Sequence, residues 1–323
     1  MFHARTSNMP DASVCVVLGG SGFLGKRFCR SLVEAGFRVR SVSRSGRPKE
    51  QPEPWWSEVE WVAAPIGTES SAKALQHADY VFHLASTTLP STSNADPAYD
   101  LESNVVATVR ILEAAVSMRV RRVVFVSSGG TVYGIALHNP ISESHPTDPI
   151  CSYGIHKLAI EKYLQLFRSQ NRLDSIVLRV SNMYGESQDC DRPLGAVAHF
   201  TTRAVSGIPI EIWGDGTTTR DYIHVDDVVN ALSKSVSYEG TERLFNIGSG
   251  RGVSLNQLVG MLQQRLSKPV TVNYRPSRGF DVLENVLDIT RARHELSWTP
   301  GVTLESGLES MIRAAQARLM ARV

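Results

Sequence analysis

The sequence predicts an α/β protein built on a doubly wound parallel sheet, with a smaller C-terminal lobe. Three observations point there. A short β-branched run, Val14 to Leu18, stops at a glycine-rich turn, Gly19 to Gly25, and passes directly into a helical pattern over Phe23 to Ala35. Strand and helix patterns then alternate through the first half of the chain. The length of 323 residues is too great for one small core and suits a large sheet domain with an associated lobe. The expected organisation is a dinucleotide-binding domain over 13–180 with returns around 221–248. A second lobe takes 181–220 and 249–323, and residues 1–12 form a loose polar tail.

Composition excludes several classes. Hydrophobic residues make up 42% and charged residues 20%, as in soluble globular proteins. A net charge of +2 supplies no general field for nucleic acid or an anionic membrane, so neither is expected as a partner. Cys15, Cys29, Cys151 and Cys190 show no paired spacing, which argues against a zinc site or a disulfide framework and for a reduced, cytoplasmic setting. No apolar run approaches the roughly 18 residues that would span a bilayer, and the first residues lack the apolar core of a signal peptide.

The elements follow in order. In the turn, Gly19, Gly22 and Gly25 recur as G-x-x-G-x-x-G between strand and helix, where free helix N-terminal N–H groups suit a pyrophosphate. Phe37 to Ser43 is the second strand. Its end carries Ser43 and Arg44, with Arg47 nearby, where a carboxylate would otherwise hold a ribose 2′-hydroxyl; NADP is therefore favoured over NAD. Residues 45–59 read as a loop in which Trp55 and Trp56 cover a core edge. Two strands, Val59 to Ala64 and Tyr80 to Leu84, flank a short helix around Ser71 to His77. His83 reads as a satisfied core histidine. Asp96 to Met118 reads as one long helix carrying Asn104. Arg121 to Val126 is the fifth strand, and it delivers Ser127-Ser128-Gly129-Gly130-Thr131-Val132-Tyr133-Gly134.

A helix beginning near Ser152 then carries Tyr153 and Lys157. Positions i and i+4 share a helix face, with Cβ atoms roughly 5–6 Å apart. An ammonium at that range favours the phenolate by about 3 kcal/mol at an effective dielectric of 20, or roughly two pKa units before desolvation opposes it. Tyr153 is thereby a candidate proton carrier near neutral pH. Farther on, Val177 to Val180 is a strand, Pro193 to Val205 a helix, and Ile210 to Trp213 a strand. His224, Asp226 and Asp227 lack a third ligand at a recognised spacing, so no metal is expected. Leu308, Met311, Ile312, Ala315 and Leu319 trace one face of a terminal docking helix.

Taken together, GGSGFLG, FHLAS, SSGGTVYG, YGIHK, LRVSNMYG and GDGTTTRDYIHVDD resemble the extended short-chain dehydrogenase/reductase family, in particular its nucleotide-sugar epimerases, dehydratases and reductases. The resemblance covers nearly everything from Val14 to Leu308. It implies a Rossmann-type sheet binding NAD(P) through Gly19, Gly22, Phe23, Leu24, Ser43, Arg44, Leu84, Ala85, Ser86, Asn104 and Ser127, with Tyr153 and Lys157 on the nicotinamide ribose side. It implies Tyr153 as the group exchanging the substrate hydroxyl proton and Lys157 as its partner. Where the family usually has the third hydroxyl, this chain has Gly129, which leaves Ser128, ranked first, and Thr131. An adenine-binding Asp of many relatives is replaced by Pro65.

The resemblance further implies a nucleotide-diphosphate sugar held by Asn182, Trp213, Arg220, Arg278 and Asp281, with Trp213 either stacking on the base or simply packing. Gly130 and Thr131 stand where sugar dehydratases carry an Asp-Glu pair, which argues against dehydration. The expected activity is epimerisation at C4 of a UDP- or dTDP-hexose. The alternatives are an NADPH-dependent reductase of a nucleotide-linked 4-keto-6-deoxy sugar and an inactive dinucleotide-sensing protein. Relatives pair through the helices over Asp96–Met118 and Ser152–Gln170, so a homodimer is expected.

Overall fold

A computed structural model describes residues 13–186, 188, 195–277 and 282–320. The order of the first half is β1 (Val14–Leu18), α1 (Phe23–Glu34), β2 (Arg38–Ser43), β3 (Val59–Ala63), α2 (Glu69–Lys73), β4 (Tyr80–His83), α3 (Pro97–Asp100), α4 (Ala107–Ser117), β5 (Arg122–Ser128) and α5 (Ser152–Asn171). The second half runs β6 (Asp174–Val180), β7 (Asn182–Tyr184), α6 (Ala196–Ser206), β8 (Ile210–Trp213), β9 (Thr219–His224), α7 (Val225–Val236) and β10 (Leu244–Ile247). It ends with β11 (Gly252–Ser254), α8 (Leu255–Leu266), β12 (Val272–Arg275), β13 (Glu284–Asn285), α9 (Thr290–Glu295) and α10 (Leu304–Met320).

Seven strands form one sheet in the order β10-β6-β5-β4-β1-β2-β3. Parallel registers join β1 to β2 and β4, β2 to β3, and β4 to β5. Strand order thus reverses between β1 and β4, the crevice where open α/β sheets bind ligands at the strands' carboxyl ends. The expected doubly wound α/β architecture is observed. Apolar runs such as Val16, Leu18, Val81, Val123 and Phe125 are buried in it, as parallel strands covered on both faces require.

The chain divides into two compact units. The first holds residues up to Val132 with Pro149–Leu178 and Leu232–Leu244; the second holds Tyr133–Asp148, Arg179–Ala231 and everything from Phe245 onward. The first unit's core packs Leu112, Ile111 and Ala115 of α4 and Ile160 and Leu164 of α5 with the strands. The second unit has its own core, in which Val197 and Phe200 of α6, Leu258 and Leu262 of α8, and Leu308 and Met311 of α10 meet.

Several elements depart from the sequence reading. The helix expected over 96–118 is interrupted: α3 and α4 are joined by a π-helical turn, Leu101–Val106. There the Asn104 Nδ2 donates to Asp100 O at 2.9 Å and the Thr108 Oγ1 donates to Asn104 O at 2.6 Å. Side chains that occupy i−4 carbonyls compete with the regular ladder, and single π turns of this kind recur at functional sites. Helix α2 is shorter than expected, beginning where Thr68 caps the Ser71 N–H and ending before His77, which has a positive φ of 61°. Leu319 does not join the buried face of α10; it is 44% exposed. Trp55 and Trp56 do cover a core edge, in a short 3₁₀ turn, Pro54–Glu58.

Candidate active site

In the first unit the turn after β1 is shaped by what its glycines lack. Gly19 has φ +91°, and a Cβ there would lie 2.9 Å from Ala85 N; Gly25 would drive a Cβ into Gly19 O. Both contacts are with backbone, so neither yields to side-chain rotation. The turn therefore sits against Ala85 at the end of β4, and α1 sits against the turn, leaving a backbone-walled cradle. Gly22 caps α1 without a side chain, and no acidic residue occupies the first turn, so the N–H groups of the first turn are those that suit a phosphate. Phe23 and Leu24 belong to that turn of helix.

At the end of β2, the Ser43 Oγ donates to Gly46 O at 2.8 Å, closing a tight turn on which Arg44 is exposed. Arg47 is engaged otherwise: its guanidinium lies 5.4 Å from the Trp56 ring centroid. Leu84 and Ala85 are partly buried and Ser86 exposed. His83 is buried, its Nε2 pairs with Thr108 Oγ1 at 2.8 Å, and burial pushes its pKa down to about 3, which fits a neutral core histidine.

Two residues lie farther from the expected role. Ser127 is buried and donates to Glu161 Oε1 at 2.5 Å. Asn104 is buried and spends its amide on the protein: Thr87 N donates to its Oδ1 at 3.0 Å, and its Nδ2 donates to Thr87 Oγ1 at 2.8 Å. Asn104 thus fixes the loop after β4.

Tyr153 and Lys157 come together as the i, i+4 spacing requires. Lys157 is 3% exposed; its Nζ donates to Val126 O at 2.9 Å and stands 5.5 Å from the Tyr153 ring centroid and 4.8 Å from that of Phe125. The expected depression of the Tyr153 pKa does not occur. Burial pushes that phenol up, and Cys151 and Asp100 add to the rise. Burial likewise pushes Lys157 down to about 8, against the opposing charges of Glu161 and Asp100. The Coulomb estimate from spacing alone omitted the cost of taking both charges out of water, and that cost is the larger effect here.

The two candidate hydroxyls differ in setting. Ser128, at the end of β5, is partly exposed. Thr131 carries a buried Oγ1 with no hydrogen-bond partner, and its carbonyl lies 2.8 Å from where a Gly154 Cβ would be, against the turn of α5 that bears Tyr153.

Sequence reasoning passed over Asp100 and His156. Asp100 is fully buried and accepts from Ser152 Oγ at 2.6 Å and from His156 Nδ1 at 2.9 Å. No spacing rule joins residues 56 apart in the chain, so nothing in the sequence signalled the pair.

In the second unit the expected substrate residues lie on β7, β8 and β9. The Asn182 Nδ2 donates to Asp221 O at 3.1 Å, the Arg220 Nη1 donates to Thr219 O at 2.9 Å, and Trp213 is 42% exposed at the end of β8. Arg278 and Asp281 lie outside the described residues. Asp221 is buried and accepts from Ser249 N and Oγ, each at 2.7 Å, and from Gly250 N at 3.1 Å; burial still raises its pKa. Asp227 accepts from Gly301 N at 2.7 Å and Val302 N at 3.0 Å, so it ties the α7 start to the 301–302 segment. Among the described residues no cluster of three or more His, Cys, Asp or Glu side chains is arranged to hold a metal, and no helix is long and apolar enough to cross a membrane.

The chain is similar to known proteins along most of its length. The chain is 32% identical to a dTDP-4-dehydro-6-deoxyglucose reductase of Escherichia coli over 94% of its own length and 98% of the relative's. It is 35% identical to a UDP-glucose 4-epimerase of Mycolicibacterium smegmatis over 92% of its length and 96% of the relative's. The crystal structure of a UDP-glucose 4-epimerase with UDP-glucose from Thermotoga maritima superposes with a TM-score of 0.88 at 35% identity, covering 95% of this chain and 99% of that one. The model of the NAD dependent epimerase/dehydratase family matches residues 15–248, and the chain belongs to that family.

Proposed function

We propose that the protein is a nucleotide-sugar 4-epimerase acting on a UDP- or dTDP-hexose, with Tyr153 as the group that takes and returns the proton at O4. The observation that carries this reading is the Tyr153/Lys157 pair on one face of α5, in the unit that also holds the glycine cradle. The cradle fits a dinucleotide: Gly19 and Gly25 let the turn close on Ala85 and α1 close on the turn, and α1 starts without a side-chain cap or an acidic first turn, which leaves its N–H groups to a phosphate. When bound, the nicotinamide supplies a hydride acceptor and donor at the sugar carbon.

The chain's own residues do the rest. Tyr153 accepts the O4 proton as C4 is oxidised and gives it back on the return, with no net redox change. Lys157, anchored on Val126 O, presents its ammonium to the ring of Tyr153 and stabilises the phenolate during transfer. Thr131 becomes the favoured third hydroxyl over Ser128, because a buried, unpartnered Oγ1 gains most from a substrate oxygen. Gly22, Phe23 and Leu24 offer N–H groups to the pyrophosphate, and Leu84, Ala85 and Ser86 line the strand end beside Gly19. Asn104 and Ser127 support this wall through their own contacts. Asn182, Arg220 and Trp213 are the substrate-side residues, with Arg278 and Asp281 beyond the described segments. The exposed Arg44 favours a 2′-phosphate and hence NADP.

A second reading is favoured by two observations. The E. coli relative is named a dTDP-4-dehydro-6-deoxyglucose reductase, and Arg44 suits NADPH. In that case Tyr153 donates its proton to a keto oxygen and the reaction stops there. Exposed Tyr99, Leu101, Val106, Ile155, Tyr163 and Leu166 on the α3–α4 segment and α5 support a homodimer through those helices. The setting proposed is the cytoplasm, where free thiols such as Cys15, Cys29 and Cys151 stay reduced.

The test uses purified protein supplied with UDP-, dTDP- and GDP-sugars. Conversion of a 4-epimer pair without dinucleotide turnover supports epimerisation; stoichiometric NADPH consumption with a 4-keto sugar replaces it with reduction. Tyr153→Phe removes either activity, by roughly 10²–10⁴-fold. Retention of the full rate by that variant refutes the mechanism.

A further inference from the structure

Asp100 sits at the end of α3, immediately before the π-helical turn, and has no exposed surface. Three other segments converge on its carboxylate. Ser152 Oγ donates at 2.6 Å and His156 Nδ1 at 2.9 Å from the first turns of α5. Asn104 Nδ2 donates at 3.1 Å from the π turn, and Thr88 Oγ1 donates from the loop after β4. The neighbouring side chains Asn94 and Ser93 cap the same end of α5, accepting from Ser152 N at 2.8 Å and from Tyr153 N at 3.0 Å. The turn of helix bearing Tyr153 is thus held by residues 52–60 positions away.

His156 lies between this carboxylate and Tyr153. It is 2% exposed, donates Nδ1–H to Asp100, and leaves a buried Nε2 with no hydrogen-bond partner. Its ring meets that of Tyr153 edge to face, with centroids 4.9 Å apart. Burial, with Lys157 adding, pushes His156 down to about 4 against the pull of Asp100. The imidazole is neutral at pH 7, so it does not cancel the Asp100 charge. Burial favours protonation of Asp100, but the hydrogen bonds from Ser152, Thr88 and His156 outweigh it and hold the carboxyl below its ordinary value. A buried carboxylate therefore stands one aromatic ring away from the Tyr153 ring, with the Lys157 ammonium as its facing cation. The other titratable groups facing this cluster are Lys157 and Glu161 of α5, Cys151 before it, and His83 of β4.

We propose that Asp100 is a positioning residue for Tyr153: acting through His156 and Ser152 it seats the phenol and sets a buried carboxylate one aromatic ring away from it. The inference rests on the reading of Tyr153 as the proton-transfer group. It explains why a fully buried carboxylate, costly on its own, is kept beside the candidate catalytic pair.

The test needs no substrate and no bound dinucleotide, so its outcome is separate from that of the epimerase assay. N-acetylimidazole acetylates tyrosine through the phenolate, and peptide mass spectrometry reads Tyr153 against Tyr274, which is 55% exposed, as an internal reference. At fixed pH below the phenol pKa the rate follows the phenolate fraction. Asp100→Asn removes the charge and is expected to raise the Tyr153 rate roughly tenfold, the equivalent of about one pKa unit. His156→Asn keeps the carboxylate and a donor near the Nδ1 position but removes the ring packed on Tyr153, and should raise the rate less than Asp100→Asn does.

An unchanged rate in Asp100→Asn overturns the proposal. So does an equal rise in both variants, since that reports only a loosened site. Should Asp100→Asn alone fail to fold because its amide NH₂ then faces donors that the carboxylate accepted, the double variant Asp100→Asn/His156→Ser removes the His156 donor as well and carries the same expectation.

Discussion

Replacing Lys157 by Met should abolish activity and yet remove a stability penalty, with a pH dependence that identifies the cause. Lys157 is 3% exposed, and burial lowers its pKa from 10.5 to about 8. At about 1.36 kcal/mol per unit, a difference of roughly 2.5 units corresponds to about 3 kcal/mol. The sign follows from proton counting. Between pH 8 and 10.5 the unfolded chain holds the lysine proton and the folded chain has released it, so stability rises with pH through that window. Below about pH 8 both states are charged, and the folded state bears the whole penalty.

Met has similar length, no charge and adaptable rotamers. The substitution also costs something: Val126 O loses the Nζ donor, about 1 kcal/mol, and the ammonium over the Phe125 ring is lost, about 0.5–2 kcal/mol. At pH 7 the gain and losses leave the variant between neutral and about 1.5 kcal/mol more stable. The decisive quantity is the change with pH. Urea unfolding followed by two probes with coincident transitions gives the difference between variant and wild type at pH 7 and at pH 10.5. That difference should fall by about 3 kcal/mol on going to the higher pH, because only the wild type is relieved. A difference that stays constant across the window refutes the buried-ammonium account.

Other outcomes follow from the same geometry. Gly25→Ala places a methyl group against Gly19 O and 2.6 Å from Gly20 Cα; displacement of the turn should cost about 1–3 kcal/mol of stability and abolish retention of dinucleotide, checked by thermal melting and by mass spectrometry of the purified protein. Arg44→Asp should shift the ratio of NADP to NAD affinity at least tenfold toward NAD, measured by titration of intrinsic fluorescence; an unchanged ratio removes Arg44 from the 2′-phosphate site. Thr131→Val should lower kcat by roughly 10–100-fold with little change in dinucleotide affinity, whereas Ser128→Ala should stay within a few-fold of wild type; the reverse ranking, read from steady-state rates, returns the third hydroxyl to Ser128.

Much of the fold was legible because it is written in local pattern. The strand, glycine turn and helix from Val14 to Glu34 appear where periodicity and turn chemistry place them, since backbone contacts such as Gly19 on Ala85 demand specific residues at specific spacings. The Tyr153/Lys157 pair was legible for the same reason. What the sequence concealed was set by contacts distant in the chain. The π turn at Leu101–Val106 depends on hydrogen bonds among Asp100, Asn104 and Thr108, a side-chain arrangement that an apolar periodicity does not register. The caps of α5 come from Ser93 and Asn94 rather than from its own flanking residues, and the Asp100–His156 pair spans 56 positions. The net direction of the Tyr153 shift was hidden as well, because spacing yields a Coulomb term directly, while desolvation depends on how every surrounding element packs.

That dependence bears on how the site operates. If Lys157 alone governed Tyr153, the phenol pKa would fall by roughly two units and the phenolate would be an appreciable minor form near neutral pH. Burial and Asp100 instead keep the proton on the phenol, and burial brings Lys157 down to about 8. Both members of the pair are therefore biased toward neutrality, and the shift of a proton between Tyr153 and a substrate oxygen costs less than it would between strongly polarised partners. Epimerisation requires the transfer in both directions within one turnover, whereas reduction requires only donation. A phenol kept protonated at rest suits the donating step as it stands. To accept a proton it must first release its own to solvent, and Lys157, whose Nζ stands 5.5 Å from the Tyr153 ring centroid, is the residue of this chain placed to stabilise the phenolate that results.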